Sequence, residues 1–410
     1  MKLLFVHQHL GEFGGAETNI HLTSGELRRR GHSLSLLYES GTGRDEAAWR
    51  EIFSDCYGLA RPANREKIEA VLDQVQPEVI YLHKMAGLDV LELLLDSGIP
   101  IVRMVHDHSL YCMREYKYNY FTRNICTRPV SGFCIFPCLG SLVRSRERSG
   151  LPVAWRSYAA KKREVRLNQQ CARLIVYSHY LKGELVQNGF DPAKIEVCVP
   201  MRVRVNERMT TNFSERNLLL FVGQIIRGKG VDVLLRALAR VRTPFQCAIV
   251  GDGNHRRSCE KLCAKLGLNG RVQFHGYVPP SQLRNYYLNA SVFLMSSLWP
   301  EPFGMAGPEA MCYGVPVVGF DAGGIREWLI DGHNGYLVPW NDTAAFTARI
   351  DELLVNKDRA RQLGNRAKDW VKRYDAPKQI DILENAFRRA AHQEQTLLPN
   401  SMPAPVSLCL

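Results

Sequence analysis

Glu301 and Glu309, separated by seven residues, lie in the run Trp299-Pro300-Glu301-Pro302-Phe303-Gly304-Met305-Ala306-Gly307-Pro308-Glu309-Ala310-Met311. Pro308 suits the first turn of a helix, which sets Glu309 near a helix N-terminus. A glycosidase acid and nucleophile need carboxyl groups ~5–9.5 Å apart, whereas eight helical positions span ~12 Å. Two carboxylates that accept hydrogen bonds from different sugar hydroxyls fit this spacing better. Anion binding is the second chemistry on offer. Gly223-Gln224-Ile225-Ile226-Arg227-Gly228-Lys229-Gly230 sets two cations among glycines, suited to a diphosphate or to a plain solvated turn. Gly11-Glu12-Phe13-Gly14-Gly15-Ala16-Glu17 and Gly251-Asp252-Gly253 either present backbone N–H groups to an anion or simply turn the chain. Neither has the G-x-G-x-x-G spacing, which disfavours a nicotinamide dehydrogenase.

A third cluster follows the apolar run at Ile101. His106-Asp107-His108 offers an active-site or a structural histidine at His106, which Asp107 would orient, with His108 outside the chemistry. Cys112, Cys126, Cys134 and Cys138 fall within 27 residues. Four thiolates there would hold a tetrahedral structural zinc; buried thiols and a redox-labile loop are the other readings. Tyr111, Tyr116, Tyr118, Tyr120 and Phe121 share the segment, as rings to stack on an acceptor sugar or to pack a lid. From Arg144 to Arg166 eight basic residues face two acids, Glu147 and Glu164, with Trp155 and Tyr158 interleaved. That pattern suits an anionic membrane surface or a solvated helix face. Nucleic acid is disfavoured, because no binding module accompanies the charge.

These residues sit in a frame of alternating elements. Leu3–His7, Ser33–Tyr38, Val79–Leu82, Ile101–His106 and Leu174–Tyr177 read as buried strands, with helical periodicity over Glu17–Arg30, Ile68–Gln74 and Asp89–Ser97. A second series, Leu218–Val222, Phe245–Val250, Val272–Phe274, Val292–Met295 and Val315–Gly319, alternates with helices such as Val231–Val241 and Ser258–Leu266. Two parallel α/β domains follow, whose ligands belong at the C-terminal strand ends. The expected divisions are 1–200, a linker at 201–216, 217–375, a returning helix at 376–394 and a disordered tail at 395–410.

Length and composition agree with that frame. At 410 residues, ~150 per domain gives two or three domains. Fifty-three basic against 41 acidic residues leave +12, so an anionic partner is expected. The opening apolar run is short for a secretory signal, and no stretch approaches a membrane span. A cytoplasmic protein is expected, free or peripheral on the inner face of the membrane. Twelve cysteines are then reduced thiols or metal ligands rather than a disulfide framework.

Glu301-x7-Glu309, followed by Gly314-Val315-Pro316-Val317-Val318, Gly323-Gly324-Ile325-Arg326-Glu327 and Asp331-Gly332…Gly335-Tyr336-Leu337-Val338, resembles the retaining GT-B glycosyltransferases of family 4. His275-Gly276-Tyr277-Val278 and Val250-Gly251-Asp252-Gly253 stand in the family's order, and the resemblance covers roughly residues 1–390. It implies a GT-B fold, two Rossmann-like domains with parallel sheets facing an inter-domain cleft, the C-terminal one taking a nucleotide sugar. It implies a catalytic set of His106, Glu301 and Lys229. Donor contacts would come from Gly15, Gln224, Arg227, Lys229, the Phe303–Gly304 amides and Glu309 on the ribose. Gln224 departs from the family, which carries arginine there, so Arg227 would supply the missing charge. Tyr111, Tyr116, Arg144 and Trp155 are the acceptor-side candidates. A UDP- or GDP-sugar donor, no catalytic metal, and a saccharide or lipid-linked acceptor of cell-surface polysaccharide, lipopolysaccharide or glycolipid assembly complete the expectation. A GT-B nucleotide-sugar epimerase and a non-catalytic sugar- or nucleotide-binding module are the rivals.

Overall fold

The computed structural model describes residues 1–11, 14–59, 65–85, 87–119, 122–144, 153–200, 209–213 and 217–395. Most of the expected 201–216 linker, the tail beyond 395, Tyr120, Phe121, Glu147 and the arginines at 146 and 148 lie outside them. Strands β1 (Lys2–Leu10), β2 (Ser33–Gly41), β3 (Asp55–Gly58), β4 (Val79–Leu82) and β5 (Ile101–Val105) open the chain. A hairpin of β6 (Leu142–Arg144) and β7 (Val153–Trp155) intervenes before β8 (Arg173–Val176) and β9 (Ile195–Val197). The second series is β10 (Leu218–Val222), β11 (Gln246–Val250), β12 (Val272–Gly276), β13 (Val292–Met295), β14 (Val317–Phe320) and β15 (Gly335–Val338).

The two sheets repeat one winding. The first has the order β3-β2-β1-β4-β5-β8-β9 and the second β12-β11-β10-β13-β14-β15. Pairing around β1 and around β10 is parallel, in continuous register such as Phe5↔Leu36, Phe5↔Tyr81 and Phe221↔Ile249. Parallel strands covered on both faces need unbroken apolar runs, and Leu-Leu-Phe-Val in β1 and Leu-Leu-Leu-Phe-Val in β10 supply them. Winding reverses between β1 and β4 and between β10 and β13, the places where such sheets bind ligands. The two parallel Rossmann-like sheets of the GT-B fold are therefore present.

The chain divides into two compact units. One comprises Met1–Met104, Gln170–Ile175 and the chain from Asp381; the other comprises Val105–Gln169 and Val176–Ile380. This division differs from an expected boundary at residue 200. The reason lies in side chains after β5 and β8, namely His108, Arg123 and Ser178, which bond to loops of the second sheet. In the first unit the part of the helix Ala376–Gln395 from Asp381 onward is held by ion pairs from Arg30 to Asp381 (2.6 Å) and Glu384 (3.2 Å). Its Phe387 packs edge-on against Tyr81 of β4.

Candidate active site

Two loops leave the C-terminal ends of β10 and β13, neighbours at the switch point of the second sheet. The first, Gly223–Gly230, ends in a tight turn at Arg227–Lys229 before the helix Val231–Leu238. Gly230 has φ +67°, and a Cβ there would lie 2.1 Å from the Ser296 carbonyl, so only glycine lets this loop close on the second. Leu298 N and Trp299 N both donate to Gly228 O, and Ser296 Oγ donates to Lys229 O, which ties the loops together.

Lys229 and Glu301 meet as a result. Lys229 Nζ is 2.6 Å from Glu301 Oε1, which also accepts from Trp299 Nε1 at 3.0 Å and from Ser297 Oγ. Glu301 is 3% exposed, so three donors on one oxygen are what allow its charge to be buried. Lys229 keeps one side open to solvent and lies 5.2 Å from the Trp299 ring centre. Behind them Gly323 and Gly324 let the backbone of residues 301–303 come close. A Cβ on Gly324 would stand 2.7 Å from Pro302 O.

Glu309 lies on the helix Ala306–Cys312, half-buried in its first turn, and accepts a hydrogen bond from Tyr287 OH at 3.1 Å. Tyr287 in turn stacks on Tyr313 at 5.2 Å. The helix begins at Ala306, so Glu301 stands in the preceding loop and an eight-position helical span does not describe the pair. Phe303 is buried and packs edge-on against Tyr374, which leaves only its backbone for a ligand. Gln224 is exposed and Arg227 is half-buried. Gly251–Gly253 packs on the first loop instead of standing open: Ile225 N donates to Asp252 O and His255 N to Ile225 O. Gly15 opens the helix Gly15–Arg29 of the first unit, where Glu17 meets the buried His7 at 3.2 Å. Glu12 and Phe13 of that loop lie outside the described residues.

The segment after β5 departs from expectation in several places. His106 is half-buried, and its Nδ1 lies 2.6 Å from Tyr177 OH, so Tyr177 orients the ring. Asp107 accepts from Ser109 N and caps the short turn His108–Leu110. Tyr111 is 1% exposed with its hydroxyl on His108, so its ring offers no face to an acceptor sugar. Burial pushes its phenol well above the ordinary range. Tyr116 and Trp155 are exposed, the former edge-on to Trp299 at 5.4 Å. Arg144 is described as backbone only, in β6.

Arg123 had no assigned role in the sequence, yet it clamps this segment to the first loop. It forms a bidentate pair with Asp232 at 2.6 and 2.9 Å and donates to Arg227 O at 3.1 Å. Burial disfavours charge on Asp232, and the guanidinium overrides it, holding the carboxyl below its ordinary value. Only the fold brings residues 109 positions apart together, so no local signal could have found them.

Cys112, Cys126, Cys134 and Cys138 line one cavity of ≈ 370 Å³, with Arg114, Lys117 and Phe133 among its walls. Among the described residues, however, no three Cys, His, Asp or Glu side chains form a group able to hold a metal ion. Burial raises the Cys112 and Cys134 thiols, which favours the protonated form. The zinc expectation thus finds its four residues around one cavity but no assembled ligand set. Among the described residues, no helix is long and apolar enough to cross a membrane.

Residues 13–200 match Glycosyltransferase Family 4 and residues 204–370 match Glycosyl transferases group 1. An uncharacterized glycosyltransferase of Methanocaldococcus jannaschii is 30% identical over 193 residues, 46% of this chain and 49% of that protein. The GDP-mannose-dependent alpha-(1-6)-phosphatidylinositol monomannoside mannosyltransferase of Mycolicibacterium smegmatis is 30% identical over 192 residues, 45% of this chain and 50% of that protein. The chain thus spans about half the length of these curated relatives. Anabaena HepE, crystallised with UDP and glucose, superposes with a TM-score of 0.71 at 17% identity, over 95% of this chain and 99% of that one. At that identity the likeness is one of fold.

Proposed function

We propose that this chain, whose two matched regions place it with the GT-B glycosyltransferases of family 4 and group 1, moves a sugar from a nucleotide-diphosphate donor to a saccharide or lipid-linked acceptor with retention of anomeric configuration. The observation that carries the reading is the Lys229–Glu301 pair at the β10/β13 switch point, with Glu309 held by Tyr287 on the helix that follows. A cation beside one buried and one half-buried carboxylate at the strand ends suits a ligand that is anionic at one end and rich in hydroxyls at the other. A GDP-mannose-dependent relative and a structural neighbour crystallised with UDP and glucose support a nucleotide-sugar donor.

In this reading Glu309 accepts from the ribose hydroxyls and Glu301 from the transferred sugar. Lys229 and Arg227, with the Phe303 and Gly304 amides, stabilise charge as it builds on the leaving diphosphate. Attack comes from the face the nucleotide leaves. The acceptor hydroxyl forms the new bond to the anomeric carbon, the bond to the phosphate oxygen breaks, and that oxygen takes the hydroxyl proton. His106, oriented by Tyr177, positions the sugar. Purified protein given a UDP- or GDP-sugar should release nucleotide diphosphate only when acceptor is present, and the product should keep the donor's anomeric configuration. Conversion of the donor without acceptor would favour the epimerase, and an inverted product would refute retention.

An acceptor at an anionic lipid surface is part of this proposal. Residues 105–169 carry 12 Lys/Arg against four Asp/Glu, which is +8 of the chain's +12. On the hairpin, Leu142 pairs with Trp155, which is 71% exposed, and Phe133, Ile135 and Phe136 are exposed on the adjoining turns. Exposed aromatic residues beside cations suit a headgroup interface. The protein should co-sediment with vesicles containing phosphatidylglycerol, less so in high salt or as Trp155→Ser; absence of co-sedimentation at low salt would refute this part.

A further inference from the structure

Four consecutive carbonyl groups around Glu301 are each held by a donor from elsewhere. Pro300 O lies 2.8 Å from His108 Nε2, and Glu301 O accepts from Gly324 N at 2.8 Å. Pro302 O accepts from Ser178 Oγ at 2.5 Å, and Phe303 O from Trp328 Nε1 at 2.6 Å. Two of the four residues are prolines without an N–H, so this run cannot brace itself through its own backbone. Its shape depends on the donors set against it.

His108, the donor to the carbonyl just before Glu301, is fully buried. Its geometry settles its proton. A carbonyl only accepts, so Nε2 must carry the hydrogen toward Pro300 O. Nδ1, 2.7 Å from Tyr111 OH, is then the acceptor of the phenol's hydrogen. Burial lowers the imidazole's affinity for a second proton and keeps the phenol protonated, so both groups stay in the forms this relay needs. The ring also stands edge-on to Trp299, 6.1 Å between centres, and Trp299 Nε1 donates to Glu301.

We propose that His108 is a positioning residue: by holding the Pro300 carbonyl, with Tyr111 fixing its tautomer, it sets the Trp299–Glu301 peptide so that the Glu301 carboxylate stands at Lys229. The kinetic consequence rests on the proposed sugar transfer; the geometric one does not. His108 bonds to Pro300 O and Tyr111 OH, whereas Glu309, which that reading assigns to the ribose, is held separately by Tyr287, so loss of His108 should slow transfer while sparing nucleotide affinity.

The test compares wild type with His108→Leu, which cannot donate, and His108→Gln, whose amide can reach the Nε2 position. Calorimetry measures the Kd of UDP and of GDP, transfer assays measure kcat, and crystal structures record residues 299–301. His108→Leu should bind nucleotide within threefold of wild type but lose about tenfold or more in kcat, and His108→Gln should recover to within threefold. Transfer by His108→Leu at the wild-type rate would overturn the proposal. So would equal losses in the two variants, or a parallel loss of nucleotide affinity. If wild type binds no nucleotide and transfers no sugar, the sugar-transfer reading fails and the crystal structures decide: the Pro300 carbonyl should keep its donor in His108→Gln and shift in His108→Leu, and an unmoved carbonyl in His108→Leu would refute His108's role.

Discussion

Replacing Lys229 by alanine perturbs two things at once, and the structure separates them. In the proposed mechanism the ammonium, 2.6 Å from Glu301 Oε1, meets the leaving diphosphate. If it acts as other preorganised charge stabilisers do, its loss raises the barrier by ~2.7–4 kcal/mol, or about 10²–10³ in rate. The same change leaves a carboxylate that is 3% exposed with only Ser297 and Trp299 as donors. Removing one partner of a fully buried pair costs about 3–5 kcal/mol. Lys229 is 20% exposed along its side chain, so entering water would replace part of the interaction. About 1–3 kcal/mol of destabilisation is expected, the range for a buried group left unsatisfied. At roughly 2–4 °C per kcal/mol for a domain of this size, Lys229→Ala should melt roughly 2–12 °C below wild type. Adding Glu301→Gln removes the stranded charge, so the double variant should regain at least about 1 kcal/mol without regaining transfer. Differential scanning calorimetry and steady-state transfer assays read the two effects. A rate within threefold of wild type, or a double variant no more stable than Lys229→Ala, would refute the reasoning.

Tyr287→Phe keeps the stack on Tyr313 and deletes one hydrogen bond to Glu309, worth about 0.5–1.5 kcal/mol. Nucleotide affinity should fall roughly two- to twelvefold by calorimetry, and an unchanged Kd would remove Glu309 from the ribose. In the first unit, burial opposes charge on Glu384, but hydrogen bonds from His32 and Arg30 override it and hold the carboxyl below its ordinary value. A carboxyl depressed on folding stabilises above its unfolded pKa of about 4.3 and loses that contribution as pH falls through the folded value. The stability gap between wild type and Glu384→Gln should therefore be present at about pH 5 and above and close below about pH 4; a gap undiminished at about pH 3 would contradict the assignment.

Much of the fold is legible where local sequence determines structure. The unbroken apolar runs of β1 and β10 leave few alternatives to buried parallel strands, and the repeated alternation leads to two Rossmann-like sheets. The family motifs pointed to Glu301 and Lys229, and the fold brings these two into contact. Short elements are not legible: β3 at Asp55–Gly58, β9 at Ile195–Val197 and β15 at Gly335–Val338 are three or four residues long and owe their form to a neighbouring strand. The pairing of β6 with β7 falls in a stretch that reads as a basic amphipathic segment. The helical spacing assumed for Glu301 and Glu309 failed because the chain is still a loop at Glu301, and the two prolines flanking it were the available signal. His108 looked inert beside His106 because its partner lies 192 residues away. For Tyr111, aromatic type alone does not distinguish a stacking face from a packing ring or a buried hydrogen-bond donor, and the fold makes it the last.

Central to the account is a nucleotide-sugar site built on Glu309 and Lys229. A thermal-shift panel of UDP-, GDP-, ADP- and TDP-sugars on wild type and Glu309→Ala tests it most directly. One nucleotide class should raise the melting temperature of wild type and fail to raise that of Glu309→Ala. Equal stabilisation of both proteins, or no response of wild type to any donor, would contradict the site.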